Sequence, residues 1–254
     1  MRLLKLIAAA TATALVAACG GGDTEDRLDV RDPVVRFIHA VPGAANVSFY
    51  RDSSAQPPAN VAYKSVSRYY DVSNSPAQWS VRPAATPATV LASANVNPSQ
   101  GDRYTFVALP GSSAGSVALS VIEDPYNKGL LTDKARVRVM HASPAAPAVD
   151  VYLIQPAQDL ATATPTLSNL GYGAAQPASG ADSLEVPGGS FRLVLTLAGT
   201  KTVVFNAPTV SIANNADRLL LAIPGPSGLP ADVRVLVAQG NDDQDGQTAE
   251  LVSQ

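Results

Sequence analysis

Hydrophobic and polar positions alternate in short runs along most of this chain. "VVRFIHA" begins at Val34 and "NVSFYR" at Asn46, and "TVLASANV", "RYTFVAL" and "SVALSVI" follow. The later part reads "VRVMHA", "AVDVYLI", "FRLVLTLA", "KTVVFNA", "RLLLAI" and "DVRVLVA". A period of two over five to eight residues predicts half-buried strands. Helical periodicity is absent beyond the first eighteen residues. The 20 prolines and 18 glycines punctuate the runs every ten or so positions, as turns between short strands require. "FRLVLTLAGTKTVVFNA" predicts a hairpin turning at Ala198 and Gly199.

The pattern is written twice. Val35, Arg36, His39, Ala40, Pro42, Ala44, Val47 and Tyr50 recur, without a gap, as Val137, Arg138, His141, Ala142, Pro144, Ala146, Val149 and Tyr152. "GDRYTFVALPG" at 101–111 is echoed by "ADRLLLAIPG" at 216–225, and an alternating segment follows each. Internal repetition of this length predicts two tandem domains, each able to close its own core. The expected fold is all-β: two immunoglobulin-like or fibronectin-like β-sandwiches over 33–127 and 134–240. "VNPSQGDRYTFVAL" resembles the tyrosine corner of such domains. There Tyr104 would bury its ring and bond its hydroxyl to nearby backbone, and the second copy has Leu219 instead.

The first eighteen residues read differently. Arg2 and Lys5 precede the apolar run "LIAAATATALVAA", which is short for a membrane span. The run ends "LVAAC", which resembles the lipobox of bacterial lipoproteins, and that resemblance makes Cys19 a lipidated mature N-terminus. Gly20 after the cysteine resembles the outer-membrane sorting pattern. Residues 19–32 then form a flexible tether, whose last 13 residues reach at most about 45 Å. Cys19 is the one cysteine of the chain, so an intramolecular disulfide and a cysteine metal cage are excluded. Without residues 1–18 the chain has 16 basic and 21 acidic residues, a net of −5, which argues against a nucleic-acid partner.

The chain has two histidines, one in each copy of the repeat. Strand parity puts His39 in a row with Val35 and Phe37, and His141 in a row with Val137 and Val139. Arg36 and Arg138 then point to water. Each imidazole ends an apolar row just before a proline-containing turn, where it can bond loop carbonyls or amides. His39, His141 and Tyr104 are thus expected to be structural. Asp150 lies on the opposite face from Val149 and Val151 and is expected to point outward with Tyr152. Its counterpart Ser48 is not an acid, and no G-x-S-x-G elbow supplies a nucleophile.

"HASPAAPAVDVY" carries a family resemblance. His141, Ala142, Ser143, Pro144, Ala146, Pro147, Val149, Asp150, Val151 and Tyr152 match the motif of the secreted bacterial domain of unknown function 4397. Ala145 replaces its commoner acid. The first copy matches less well, with Val41 for the serine and departures at Asn46 and Ser48. "SVSRYYDV" and "RYTFVALPG" resemble the family's later strands. The resemblance implies an exported, often repeated β-domain and implies no activity.

Other features are weaker. "NDDQDG" at 241–246 begins like a calcium loop, but Val252 stands where the bidentate Glu belongs. Residues 241–254 therefore read as an acidic tail, and "GYG" at 171–173 reads as part of a loop. Trp79 with Tyr63, Tyr69 and Tyr70 allows an aromatic platform, though packing is the commoner role. The expectation is a lipid-anchored, noncatalytic binding or structural protein of the cell envelope, on the outer rather than the inner membrane. It would use no cofactor or metal, hold the membrane through Cys19, and meet an envelope polymer or protein with its loops. The alternatives are a histidine-dependent hydrolase or metal enzyme using His39 or His141, and a small-ligand carrier with a pocket between the domains.

Overall fold

The computed structural model describes residues 32–113, 115–126, 133–227, 229, 232–240 and 248–254. Those residues form strands and turns, with no helix among them. The first half contains β1 (Val34–His39), β2 (Val47–Arg51), β3 (Ser54–Ala55), β4 (Tyr70–Asp71), β5 (Ala77–Pro83), β6 (Ala92–Val96), β7 (Arg103–Pro110) and β8 (Val117–Asp124). One sheet has the order β4-β1-β7-β8 and the other β3-β2-β5-β6. Strands β1 and β7 run parallel, with His39 opposite Ala108.

The second half contains β9 (Lys134–His141), β10 (Val149–Ile154), β11 (Leu167–Leu170), β12 (Ala175–Gln176), β13 (Leu184–Pro187) and β14 (Gly189–Leu197). It continues with β15 (Val203–Ile212), β16 (Asp217–Pro224), β17 (Val233–Gln239) and β18 (Thr248–Leu251). One sheet is β12-β9-β16-β17-β18, with β13 also on β9, and the other is β11-β10-β14-β15. Again the first strand runs parallel to its neighbour, with His141 opposite Ala222. The protein is all-β, with sandwich-like units of immunoglobulin-like architecture.

Each unit closes a core between its own sheets. Phe37, Phe49, Trp79 and Phe106 form an aromatic stack in the first, with ring centroids 4.7–5.3 Å apart. Val137, Val149, Leu193, Leu195, Phe205 and Leu220 belong to the core of the second. A third apolar cluster joins Ile38, Val107, Leu109 and Ile122 of the first unit to Met140, Leu219, Leu221 and Leu236 of the second. The β1 and β9 sheets therefore face each other, giving four layers with a seam in the middle.

The structure corrects several sequence expectations. Arg36 and Arg138 do lie opposite the histidine rows, but they face the seam and are buried. Asp150 and Tyr152 do face away from their own core, yet both are buried, because turns and the 155–166 segment cover that sheet. The acidic tail ends in a strand, since Thr248–Leu251 pairs with β17. The glycine-rich stretch around 171–173 carries β11 and β12 on its flanks. Cα register puts Arg218, not Leu219, at the place of Tyr104: Tyr104 pairs with Val35, and Arg218 with Val137. The 198–199 hairpin forms between β14 and β15, with Gly199 at φ +72°.

Candidate functional site

Each histidine closes the turn that follows it, with matching geometry. His39 Nδ1 accepts the Val41 N–H at 3.3 Å, and Nε2 faces the Ala45 carbonyl at 3.4 Å. His141 Nδ1 accepts the Ser143 N–H at 3.2 Å, and Nε2 faces the Pro147 carbonyl at 3.0 Å. A ring nitrogen that accepts an amide N–H carries no proton, so both rings are Nε2–H tautomers. Both side chains are fully buried, and burial lowers both pKa values below 6.5, only partly offset by the carbonyl each ring meets. No carboxylate contributes to either shift. Among the described residues no cluster of histidine, cysteine and acidic groups is arranged to hold a metal.

Sequence reasoning missed a second duplicated device beside each ring. Tyr63 and Tyr172 meet His39 and His141 edge-on, both at 6.2 Å between centroids. The residue after each tyrosine, Lys64 or Gly173, has φ near +70° and donates its N–H to the histidine carbonyl at 2.8 Å. The next residue, Ser65 or Ala174, accepts the histidine N–H. Both tyrosines reach across the seam. Tyr172 Oη donates to the Pro110 carbonyl, while burial and then Glu250 push the Tyr63 hydroxyl up to about 12. Lys64 pairs with Glu250 at 2.7 Å.

The other sequence candidates also have definite places. The Tyr104 ring is buried, and its Oη accepts the Ser99 N–H at 3.0 Å. Trp79 lies wholly in the first core and Tyr69 in the seam, so no exposed aromatic platform includes them. The Asp150 carboxylate accepts the N–H groups of Asn169 and Gly199 at 2.7 and 2.8 Å. The lipidation candidate Cys19 and the calcium-like stretch from Asn241 to Gly246 lie outside the described residues.

At the end of the seam opposite the histidines lies a cluster of buried charge. Arg36, Arg103, Arg136 and Arg138 are each at most 4% exposed. Arg136 meets Asp124 at 2.6 Å and Asp217 at 3.5 Å, and Arg138 meets Asp124 at 3.7 Å. Arg138 also donates to the Pro177, Ala178 and Ala181 carbonyls, and Arg36 to the Gln239 carbonyl at 3.0 Å. The Arg103 guanidinium sits 3.4 Å from the Tyr126 ring centroid and 4.9 Å from that of Tyr69. Burial alone would raise the Asp124 carboxyl, but Arg136 and the Tyr126 N–H hold it below the ordinary value. The cluster is a charged rivet between the units.

No curated protein matches the chain. One family model does match, over a span that covers the whole first sandwich, all of β9 and most of β10 and so contains both histidine turns. Residues 33–152 match the family model described as Domain of unknown function (DUF4397).

Proposed function

We propose that this is a lipid-anchored, noncatalytic binding or structural protein of a bacterial cell envelope, built from two copies of that domain. One observation carries the noncatalytic part. The chain's two imidazoles are buried, and each spends both ring nitrogens on its own turn. A general base or metal ligand needs a ring nitrogen within reach of substrate or ion. The shared strand order and matching histidine and tyrosine turns support a second copy beyond residue 152. The charged head, apolar run and "LVAAC" support the anchor at Cys19.

Three experiments test this reading. Metabolic labelling with an alkyne fatty acid should mark the chain and leave Cys19→Ser unlabelled; equal labelling of both removes the anchor. Residues 20–254 on resin should retain envelope glycan or protein above a control β-domain, and retention at control level defeats the binding role. Turnover of a substrate lost in His141→Ala, with folding intact, would restore the enzyme reading.

A further inference from the structure

The outer sheet of the first sandwich carries an open groove of about 400 Å³ where β2 and β6 end and β5 begins. Its lining includes Asp52, Gln78, Asn95 and Asn97, together with Pro76 and Val96. Gln78 and Asn95 are directly opposite each other on adjacent strands, which sets their side chains side by side. The Asp52 backbone is held at φ +53°, where it donates its N–H to the Gln78 carbonyl. Its Oδ1 accepts the Gln78 N–H at 3.0 Å, while no hydrogen bond from the described residues engages Oδ2. Two arginines brace the walls. Arg51 donates to the Ser73 and Ser75 carbonyls at 3.0 and 2.9 Å, and Arg82 to the Asp52 carbonyl at 2.9 Å.

The corresponding position in the second sandwich is sealed. Tyr50 pairs with Ser80, and Tyr152 with Val194, so Gln78 corresponds to Arg192. There Arg192 Nε donates to Asn206 Oδ1 at 2.8 Å, and Asn206 Nδ2 donates to the Gln254 carbonyl. The polar groups satisfy one another. In the first sandwich the carboxamides of Gln78, Asn95 and Asn97 engage no partner among the described residues, and all three residues are exposed.

We infer that this groove is a binding subsite for one or two rings of an uncharged saccharide. Three carboxamides offer donors and acceptors together, and the free carboxylate oxygen adds an acceptor. Sugar hydroxyls, which donate and accept at once, complement that set. No lysine or arginine lines the groove, and Arg82, on the same face of β5 as Gln78, is committed to the Ser80 hydroxyl and the Pro87 and Asp52 carbonyls, so the groove favours an uncharged ligand. Pro76 and the part-exposed Val96 offer small apolar surface for ring C–H groups and no deep slot for a bulky side chain. The volume lies toward the lower end of small-ligand clefts. Braced walls lower the ordering cost of binding. The inference rests on the binding role proposed above and names its ligand class.

The test uses the full chain purified in detergent, titrated with cellohexaose, chitohexaose and maltohexaose, with hexagalacturonate as the charged control. Saturation-transfer NMR and calorimetry should show binding of at least one neutral hexasaccharide. Gln78→Ala and Asn95→Ala should each weaken it about tenfold with an unchanged melting temperature, because both side chains are exposed. The inference is overturned if no neutral sugar binds, if the variants bind as the parent does, or if the galacturonate binds best. Envelope material retained by the chain while all four sugars fail would overturn the groove alone. Failure of both would overturn the binding role as well.

Discussion

Each imidazole is locked in one protonation state by its neighbours. A second proton would turn Nδ1 into a donor aimed at the N–H of Val41 or Ser143, a contact that repels. Burial holds the folded pKa values below the ordinary 6.5, so the unfolded chain binds more protons in acid. The stability that the neutral rings supply is complete above about pH 6.5 and is lost as pH falls through that value toward the depressed folded ones. Each ring contributes a slope of at most about 1.4 kcal/mol per pH unit. Denaturant midpoints at pH 7.5, 6.5 and 5.5 should fall in that order, and an His39→Asn/His141→Asn chain should show a flatter profile. A parent midpoint that does not move over this range contradicts the locked tautomers. Truncation is a separate probe. His141→Ala opens a cavity and strands the Ser143 N–H and Pro147 carbonyl, at a cost of about 2–4 kcal/mol, readable as a lower melting temperature.

Strand β18 shows how one short element completes a sheet. It covers the edge of β17, and its Glu250 meets Lys64 and Arg234. These ion pairs are partly exposed, so Glu250→Gln should cost less than about 1 kcal/mol. Removing residues 248–254 should do more, since it bares the β17 edge for pairing with another chain. Light scattering should report that association; a truncated chain as monodisperse as the parent would deny β18 its role. The sequence made most of the other strands legible, because alternation marks a strand with one face in a core. Thus Val35, Phe37 and His39 were assignable to one row, as were Val137, Val139 and His141. Parity cannot say what covers the second face, so Arg36 and Arg138, although correctly set opposite those rows, were expected in water. Asp150 misled in the same way: its face was right, but the covering turns come from residues 169 and 199, far along the chain. The tyrosine turns were illegible for another reason. "AYKS" and "GYGA" share one residue, and they stand at different distances from their histidines. What they share is a backbone conformation, supplied by Lys64 in one and by glycine in the other.

The seam makes the molecule one object. Ile38, Val107 and Leu109 on one side and Met140, Leu221 and Ile223 on the other are as deeply buried as the cores within each unit. The arginine cluster at one end and the tyrosine contacts at the other fix the register of the two sheets. Separating the units would expose that apolar face and leave Arg136 and Arg138 without Asp124. The bared apolar surface is the main cost, at about 25 cal/mol per Å², and the lost Asp124 pairs add less because water solvates the freed guanidinium groups. The two sandwiches should therefore melt together, in a single calorimetric transition whose van't Hoff and measured enthalpies agree. Leu221→Asp places a carboxylate in the seam without touching either inner core, because its neighbours Leu220 and Ala222 carry the row that faces β10 and β14. That variant should split the transition in two, the resolved peaks belonging to separately melting sandwiches. Asp124→Ala should lower the single transition by breaking the pairs with Arg136 and Arg138. Two well-separated peaks in the parent chain would mean that the seam is a loose contact, and that the paired histidine turns belong to independent modules.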